Sequence, residues 1–257
     1  MLDATGTLGA GSSGACFGVR QLTATYTGAD INLRRGSDSA SFAWRTWWTG
    51  NLNPVAIQAW AQGASLYDDD WYDQCGLHHD ASQSTAADQS VFVPVTASMG
   101  GRPSVLFGSN TAQNLATSLF ALNQPVFVSV VGILNANPGS QTIIDAANAA
   151  NQRRIFTSSA AGHPVGIDAG TSLVASAFSA GVLATQFNGA SSSVSFNNVV
   201  QVLGNAGANN GTGIEIGNVP TLSQSPNMNY GEVLELNGVI SKGASLYANE
   251  KAYFGTP

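Results

Sequence analysis

Trp71-Tyr72-Asp73-Gln74-Cys75-Gly76-Leu77-His78-His79-Asp80-Ala81-Ser82-Gln83 is the stretch on which the reading of this chain turns. It concentrates aromatic, acidic and imidazole side chains in a sequence otherwise rich in Ala, Ser, Gly, Asn and Val. Such a segment is either where the chain meets a ligand or a buried corner of a fold. Asp68-Asp69-Asp70 lies just before it, so with Asp73 four carboxylates fall within six residues. Clustered hard oxygen donors suit Ca²⁺. The run lacks the spaced ligands and central Gly of a dedicated calcium loop, and a solvated acidic loop is the expectation. If Ca²⁺ were held, Asp68, Asp69, Asp70 and Asp73 would hold it; no other cofactor is expected. Adjacent His78 and His79 point to opposite faces of an extended segment and cannot easily share a metal.

Composition bounds the function classes. At 257 residues the chain buries roughly three quarters of its unfolded surface and needs neither disulfides nor metal for stability. Only 9% of residues are charged, with Lys+Arg 9 against Asp+Glu 15 and a net charge of −6. That balance excludes a nucleic-acid partner, which requires clustered Lys and Arg. No apolar run is long enough to span a bilayer, so no membrane insertion is expected. Residues 1–15 lack the positive start and apolar core of a signal peptide, which implies synthesis in a cytoplasm. Cys16 and Cys75 leave two readings: a bridge from the first strand to the loop after Trp71, or two small buried thiols. There is no Cys-x-x-Cys pair, so no zinc site of that type is expected.

Working outward, residues 1–15 read as a Gly/Ser/Ala-rich arm and 16–257 as one domain. The arm contains Gly9-Ala10-Gly11-Ser12-Ser13-Gly14, but no strand precedes it and no helix follows, so it is not a dinucleotide fingerprint. Short strands are expected at Cys16–Leu22, Ile31–Arg35, Phe42–Trp48, Val91–Val95, Ser104–Phe107, Val126–Ile133 and Gln141–Asp145. More are expected at Arg153–Phe156, Val165–Asp168, Gly181–Phe187, Ser192–Phe196, Gly213–Ile216 and Glu232–Leu236. Apolar runs of this length between Gly/Asn/Ser turns are the all-β pattern. Asn53-Pro54 opens one short helix closed by Gly63, and Ala244–Phe254, closed by Gly255, forms a second. Trp44, Trp47, Trp48, Trp60 and Trp71 all lie near the N-terminus. They form either an apolar patch against the main body or a sugar-stacking surface.

Three ordered segments carry a family resemblance. Phe17-Gly18-Val19-Arg20-Gln21-Leu22, Tyr26-Thr27-Gly28 and Leu33-Arg34-Arg35-Gly36-Ser37-Asp38 resemble a "YSLRxL…YxG…VRRSSD" stretch. Trp71-Tyr72-Asp73-Gln74-Cys75-Gly76 resembles "WYDQSG", and Gly101-Arg102-Pro103-Ser104-Val105-Leu106-Phe107 resembles "GKPALRF". Phe187–Val194 and Gly213–Gly217 look like the paired strands closing such domains. These are features of the concanavalin A-like (laminin G-like) jelly-roll family of bacteriophage structural proteins, whose N-terminal part is shared with family 54 arabinofuranosidase catalytic domains. The resemblance implies a jelly-roll sandwich of two antiparallel sheets. The chain departs from it at Cys75–Gln83, where the family continues "SGNGNDATQ"; losing Asn and Gly implies a turn of different shape.

The resemblance implies a virion component, a tail or fibre module or capsid decoration. It would be oligomeric, sit among other virion proteins and bind a host-surface glycan through Trp71, Tyr72, Asp73 and Gln74. A purely structural assembly protein and a glycoside hydrolase of arabinofuranosidase type are the alternatives. Hydrolysis needs two carboxylates about 5–10 Å apart. Glu215, Asp145, Asp168, Glu232 and Glu235 are available, but Glu232 and Glu235 have odd spacing and face opposite sides of a strand. No catalytic pair is assignable from the sequence, and a non-enzyme is expected.

Overall fold

The computed structural model describes residues 14–46, 50–109, 111–136, 139–162, 164–220, 224–240 and 243–256. Most of the expected N-terminal arm, with Trp47, Trp48 and His163, lies outside the described residues. The chain enters through β1 (Gly14–Gly18), β2 (Ile31–Arg35), β3 (Ser41–Trp44) and helix α1 (Pro54–Ala61). β4 (Leu66–Trp71), β5 (Ala81–Ser82), β6 (Ser90–Thr96), β7 (Arg102–Phe107), β8 (Leu115–Thr117) and β9 (Ala121–Leu122) follow. Next come β10 (Val126–Ala136), β11 (Gln141–Asp145), β12 (Arg154–Thr157), β13 (Pro164–Asp168) and β14 (Ser172–Ala177). β15 (Ala180–Phe187), β16 (Ser192–Phe196), β17 (Val199–Gly204), β18 (Gly211–Thr212) and β19 (Glu215–Ile216) lead to the long β20 (Asn227–Asn237) and helix α2 (Gly243–Phe254).

The protein is all-β with few helices, and its strands pair antiparallel in an 18-stranded network plus the small β9–β18 sheet. β20 is the hub. One of its edges carries β10; the other carries β1 along its C-terminal half and β7 near its start. From β10 one arm continues through β15, β16 and β17. A second arm runs β3-β2-β4-β5-β8-β19-β11-β12-β13-β14. The arms meet across a shared core, where the Tyr230 hydroxyl on β20 donates to the Ile143 carbonyl on β11 at 2.9 Å. Period-two alternation supplies that core: Val126, Val128 and Val130 point inward from β10, with Ile31, Trp71, Leu115 and Ile216 from the second arm.

The helices follow their caps. The Asn53 side chain accepts from the Val55 and Ala56 amides, both at 3.1 Å, and Pro54 takes the first helical position. α1 stops at Gln62, which adopts the left-handed conformation (φ 52°) one residue before the expected Gly63. α2 ends at Gly255, whose positive φ lets its amide return to the Lys251 carbonyl.

One expectation fails instructively. The acidic run is not a solvated loop but β4, paired with β2 on one side and with β5 and β6 on the other. Ladder bonds on both edges outweigh the poor strand propensity of Asp. The register slips between Asn32↔Asp70 and Leu33↔Asp68, leaving Asp69 as an extra residue. Asp68 therefore turns inward beside Leu33, fully buried with neither oxygen partnered, and Asp70 turns outward to accept from Asn32 at 3.1 Å. Burial, reinforced by Asp69 and Asp70, pushes the Asp68 carboxyl well above its ordinary range.

Candidate functional site

The segment Trp71–Gln83 is spent on architecture. Trp71 is fully buried against Phe17, ring centroids 5.9 Å apart. Asp73 Oδ1 accepts from the Cys16 and Cys75 amides, each at 2.9 Å. Its Oδ2 accepts from the Leu77 and His79 amides at 3.3 and 3.2 Å. Gln74 accepts from the Leu22 amide at 2.8 Å and donates to the Gly18 and Arg20 carbonyls at 3.1 and 2.9 Å. Cys16 and Cys75 are joined by a disulfide, Cα–Cα 5.3 Å, which ties β1 to the same loop.

Of the four expected glycan contacts, Trp71, Asp73 and Gln74 are buried; Asp73 and Gln74 bond to the chain's own backbone, and the Trp71 indole N–H has no hydrogen-bond partner. Tyr72 and Gln74 border a surface hollow, with Tyr26, His78 and Asp80. His78 takes the positive φ (58°) that a Gly or Asn would occupy more easily, while His79 stacks on Phe120 at 3.6 Å. The two imidazoles have separate surroundings. Among the described residues, the one trio of His, Cys, Asp or Glu with metal-binding proximity is Cys16, Asp73 and Cys75. Its two sulfurs are bonded to each other, and Asp68, Asp69 and Asp70 do not join it.

Glu232 and Glu235 do face opposite ways. Glu232 lies under α2 and pairs with Arg20 at 2.7 Å. Glu235 points into the core and pairs with Arg153, both groups buried. Burial pushes the Glu235 carboxyl up while Arg153 pulls it down. Neither glutamate is available for acid–base work.

Another pair is. On β11 and β19, Ile144 opposes Ile216 and Asp145 opposes Glu215. Ile216 and its β8 partner Leu115 line the core, so alternation sends Asp145, Glu215 and Ala116 to the other face. Register extends this outer row through Ser82 and Asp70 to Asn32. Both acids are recessed, 1% and 2% exposed. Asp145 Oδ1 accepts from the Ala146 amide at 2.8 Å and the Arg153 amide at 3.1 Å, while Oδ2 has no partner. Glu215 Oε1 accepts from the Asn114 amide at 3.2 Å, and Asn114 is itself held by Gln83. Burial lifts Asp145 to about 6, tempered by those two N–H donors and by Arg154 and Arg153. Burial lifts Glu215 further, to about 7, because the Asp145 charge adds to it. Further along, Asp168 accepts from the Gly170 amide at 2.8 Å and the Ser172 hydroxyl at 2.6 Å, opposite Arg154. The sequence offers Asp145 and Glu215 only as isolated carboxylates, far apart along the chain, with no local signal for the β11–β19 register.

No protein-family model matches the chain, and no curated protein matches it. Solved structures do. An arabinofuranosidase complexed with arabinofuranosyl-α-1,2-xylobiose superposes with a TM-score of 0.72 at 11% identity, over 95% of this chain and 62% of that one. A GH54 α-L-arabinofuranosidase soaked with a cyclic sulfate inhibitor gives 0.70 at 12% identity, over 98% and 63%. A Trypanosoma rangeli sialidase gives 0.52 at 8% identity, over 72% and 31%. The chain thus spans about three fifths of the arabinofuranosidase chains, and the likeness is one of fold. It overturns the expected bacteriophage virion protein, tail module or capsid decoration: these neighbours are glycosidases.

Proposed function

We propose that the chain is a glycoside hydrolase domain of arabinofuranosidase type, with Glu215 and Asp145 as its catalytic carboxyls and a concanavalin A-like jelly roll as its scaffold. The observation that carries the proposal is the side-by-side placement of these two acids on the outer face of the β11–β19 ladder. Directly opposed residues hold their Cβ atoms about 4.5–5.5 Å apart. Retaining glycosidases place their two carboxyls about 5–5.5 Å apart. The separated proton affinities, about 7 for Glu215 and about 6 for Asp145, divide the labour. Glu215 holds the proton and delivers it to the leaving glycosidic oxygen. Asp145, ionised, attacks the anomeric carbon to form a glycosyl ester, which water then cleaves with Glu215 as base. The arabinofuranosidase neighbours support the fold and the pentofuranoside class of substrate.

The test is turnover of an aryl α-L-arabinofuranoside followed by release of the aryl alcohol. Activity in the wild type, lost in Glu215→Gln and in Asp145→Asn with the fold intact, supports the assignment. No turnover by the wild type, or undiminished turnover by either variant, overturns it.

A further inference from the structure

Remote from the Asp145–Glu215 pair, helix α2 and the outer face of β10, β15 and β16 enclose a cavity of about 310 Å³. That is the small end of ligand pockets, which run about 300–1,000 Å³. Cross-strand register builds its floor in two rows: Ser129, Ala184 and Ser195 in one, Phe127, Gln186 and Ser193 in the other. Chemistry divides the walls. Phe127, Ala184, Leu246 and Ile240 are apolar, while hydroxyls and an amide come from the serines and Gln186.

The inner end is closed by Glu250, which occupies the middle of the buried stripe Leu246-Glu250-Phe254 on α2. An apolar residue would pack there more cheaply, because a buried carboxyl must be desolvated. Glu250 is fully buried and accepts from the Ser129 hydroxyl at 3.0 Å. Burial, with Glu232 alongside, pushes its carboxyl well above the usual range. Arg20 is already committed to Glu232. The cavity is therefore lined by hydrogen-bonding groups on one side and hydrocarbon on the other. A sugar ring has the same division, a hydroxyl edge and a C–H face.

We infer that this cavity is a second carbohydrate site, taking one neutral sugar ring with its hydroxyls on Ser193, Ser195 and Gln186 and its C–H face on Phe127 and Ile240. A small amine would leave most of these hydroxyls without a partner. Ser195 is half-buried, so Ser195→Trp fills the cavity without opening the core.

The experiment titrates the protein with L-arabinose, D-galactose, D-glucose and methylamine, following binding by calorimetry and by ligand-observed NMR. Saturable millimolar binding of at least one sugar is expected. It should persist in Glu215→Gln and weaken about tenfold or more in Ser195→Trp. Ser195→Trp should leave turnover of an aryl arabinofuranoside unchanged, which separates this site from the proposed catalytic one. No sugar binding, equal binding by wild type and Ser195→Trp, or binding of methylamine alone would overturn the inference.

Discussion

Asp145 and Glu215 stand directly opposite each other across the β11–β19 ladder, yet their carboxyls are held at different levels, about 6 and about 7. Both are lifted by burial. Asp145 is partly restored by two backbone N–H donors, whereas Glu215 has one side-chain amide and the Asp145 charge beside it. The order of proton release follows from that asymmetry, and the two steps belong to the pair rather than to either acid alone.

The proposed hydrolysis requires Asp145 ionised and Glu215 protonated, so its rate should rise as pH climbs through about 6 and fall as it climbs through about 7. Glu215→Gln should lower kcat by about 10²–10⁴. Asn114 favours the charged form of Glu215, so Asn114→Leu should raise the Glu215 value and move the alkaline limb upward. A kcat profile against pH reads all three. An alkaline limb unmoved in Asn114→Leu would detach it from Glu215.

Asp73 should behave as a structural residue of the first order. It accepts four backbone amides and positions both ends of the Cys16–Cys75 bridge. Asp73→Ala leaves buried N–H groups without acceptors and should cost about 3 kcal/mol or more, from charge-assisted bonds worth about 1.5–3 each. Removing the bridge through Cys16→Ser/Cys75→Ser should cost about 2–4 kcal/mol. Urea unfolding curves check both. Because the two devices hold one loop, their costs should not add, and full additivity would show that they act separately.

What could be read in the sequence was whatever is written locally. Ile31–Arg35, Gln141–Asp145 and Ser192–Phe196 are strands with the bounds their apolar runs suggest, and Asn53-Pro54 announces α1. β4 was hidden because three aspartates mask a strand whose partners lie elsewhere in the chain. β14 and β17 were hidden by Ser, Ala and Gly dilution and by outward-facing Val199, Val200 and Leu203. In the conspicuous Trp71–Gln74, Trp71, Asp73 and Gln74 are buried and Asp73 and Gln74 clasp the loop to the segment 16–22, while Tyr72 stays half-buried at the surface. The acids that do face each other, Asp145 and Glu215, looked unremarkable because only long-range register unites them.

Arg153 and Glu235 cross the core as a buried ion pair, and Arg153 also lies over the Phe187 ring at 5.3 Å. Breaking one side strands the other charge, so Arg153→Met should destabilise by about 3–5 kcal/mol. Adding Glu235→Leu should recover most of that loss, since a well-packed apolar pair is often as stable as the ions it replaces. Denaturant midpoints of the two single variants and the double variant form the cycle. A double variant no better than Arg153→Met would show that the pair contributes through its charges and not merely by mutual compensation.

Asp30 is raised to about 7, Asp145 to about 6 and Glu215 to about 7, and burial raises Asp68 and Glu250 as well. Each binds its proton more tightly folded than unfolded, where carboxyls titrate near about 4. Stability rises with pH only where the unfolded chain holds more protons; here the folded chain holds more. Their contribution is therefore fully present below the unfolded value and is lost as pH climbs through the folded one. The melting temperature should rise on going from about pH 8 to about pH 5. Asp68→Asn removes a titrating group whose two oxygens have no partner, so it should flatten that slope. Scanning calorimetry across this range decides the matter. A melting temperature that climbs with pH, or a slope unchanged in Asp68→Asn, would mean that these carboxyls are solvated in the folded protein.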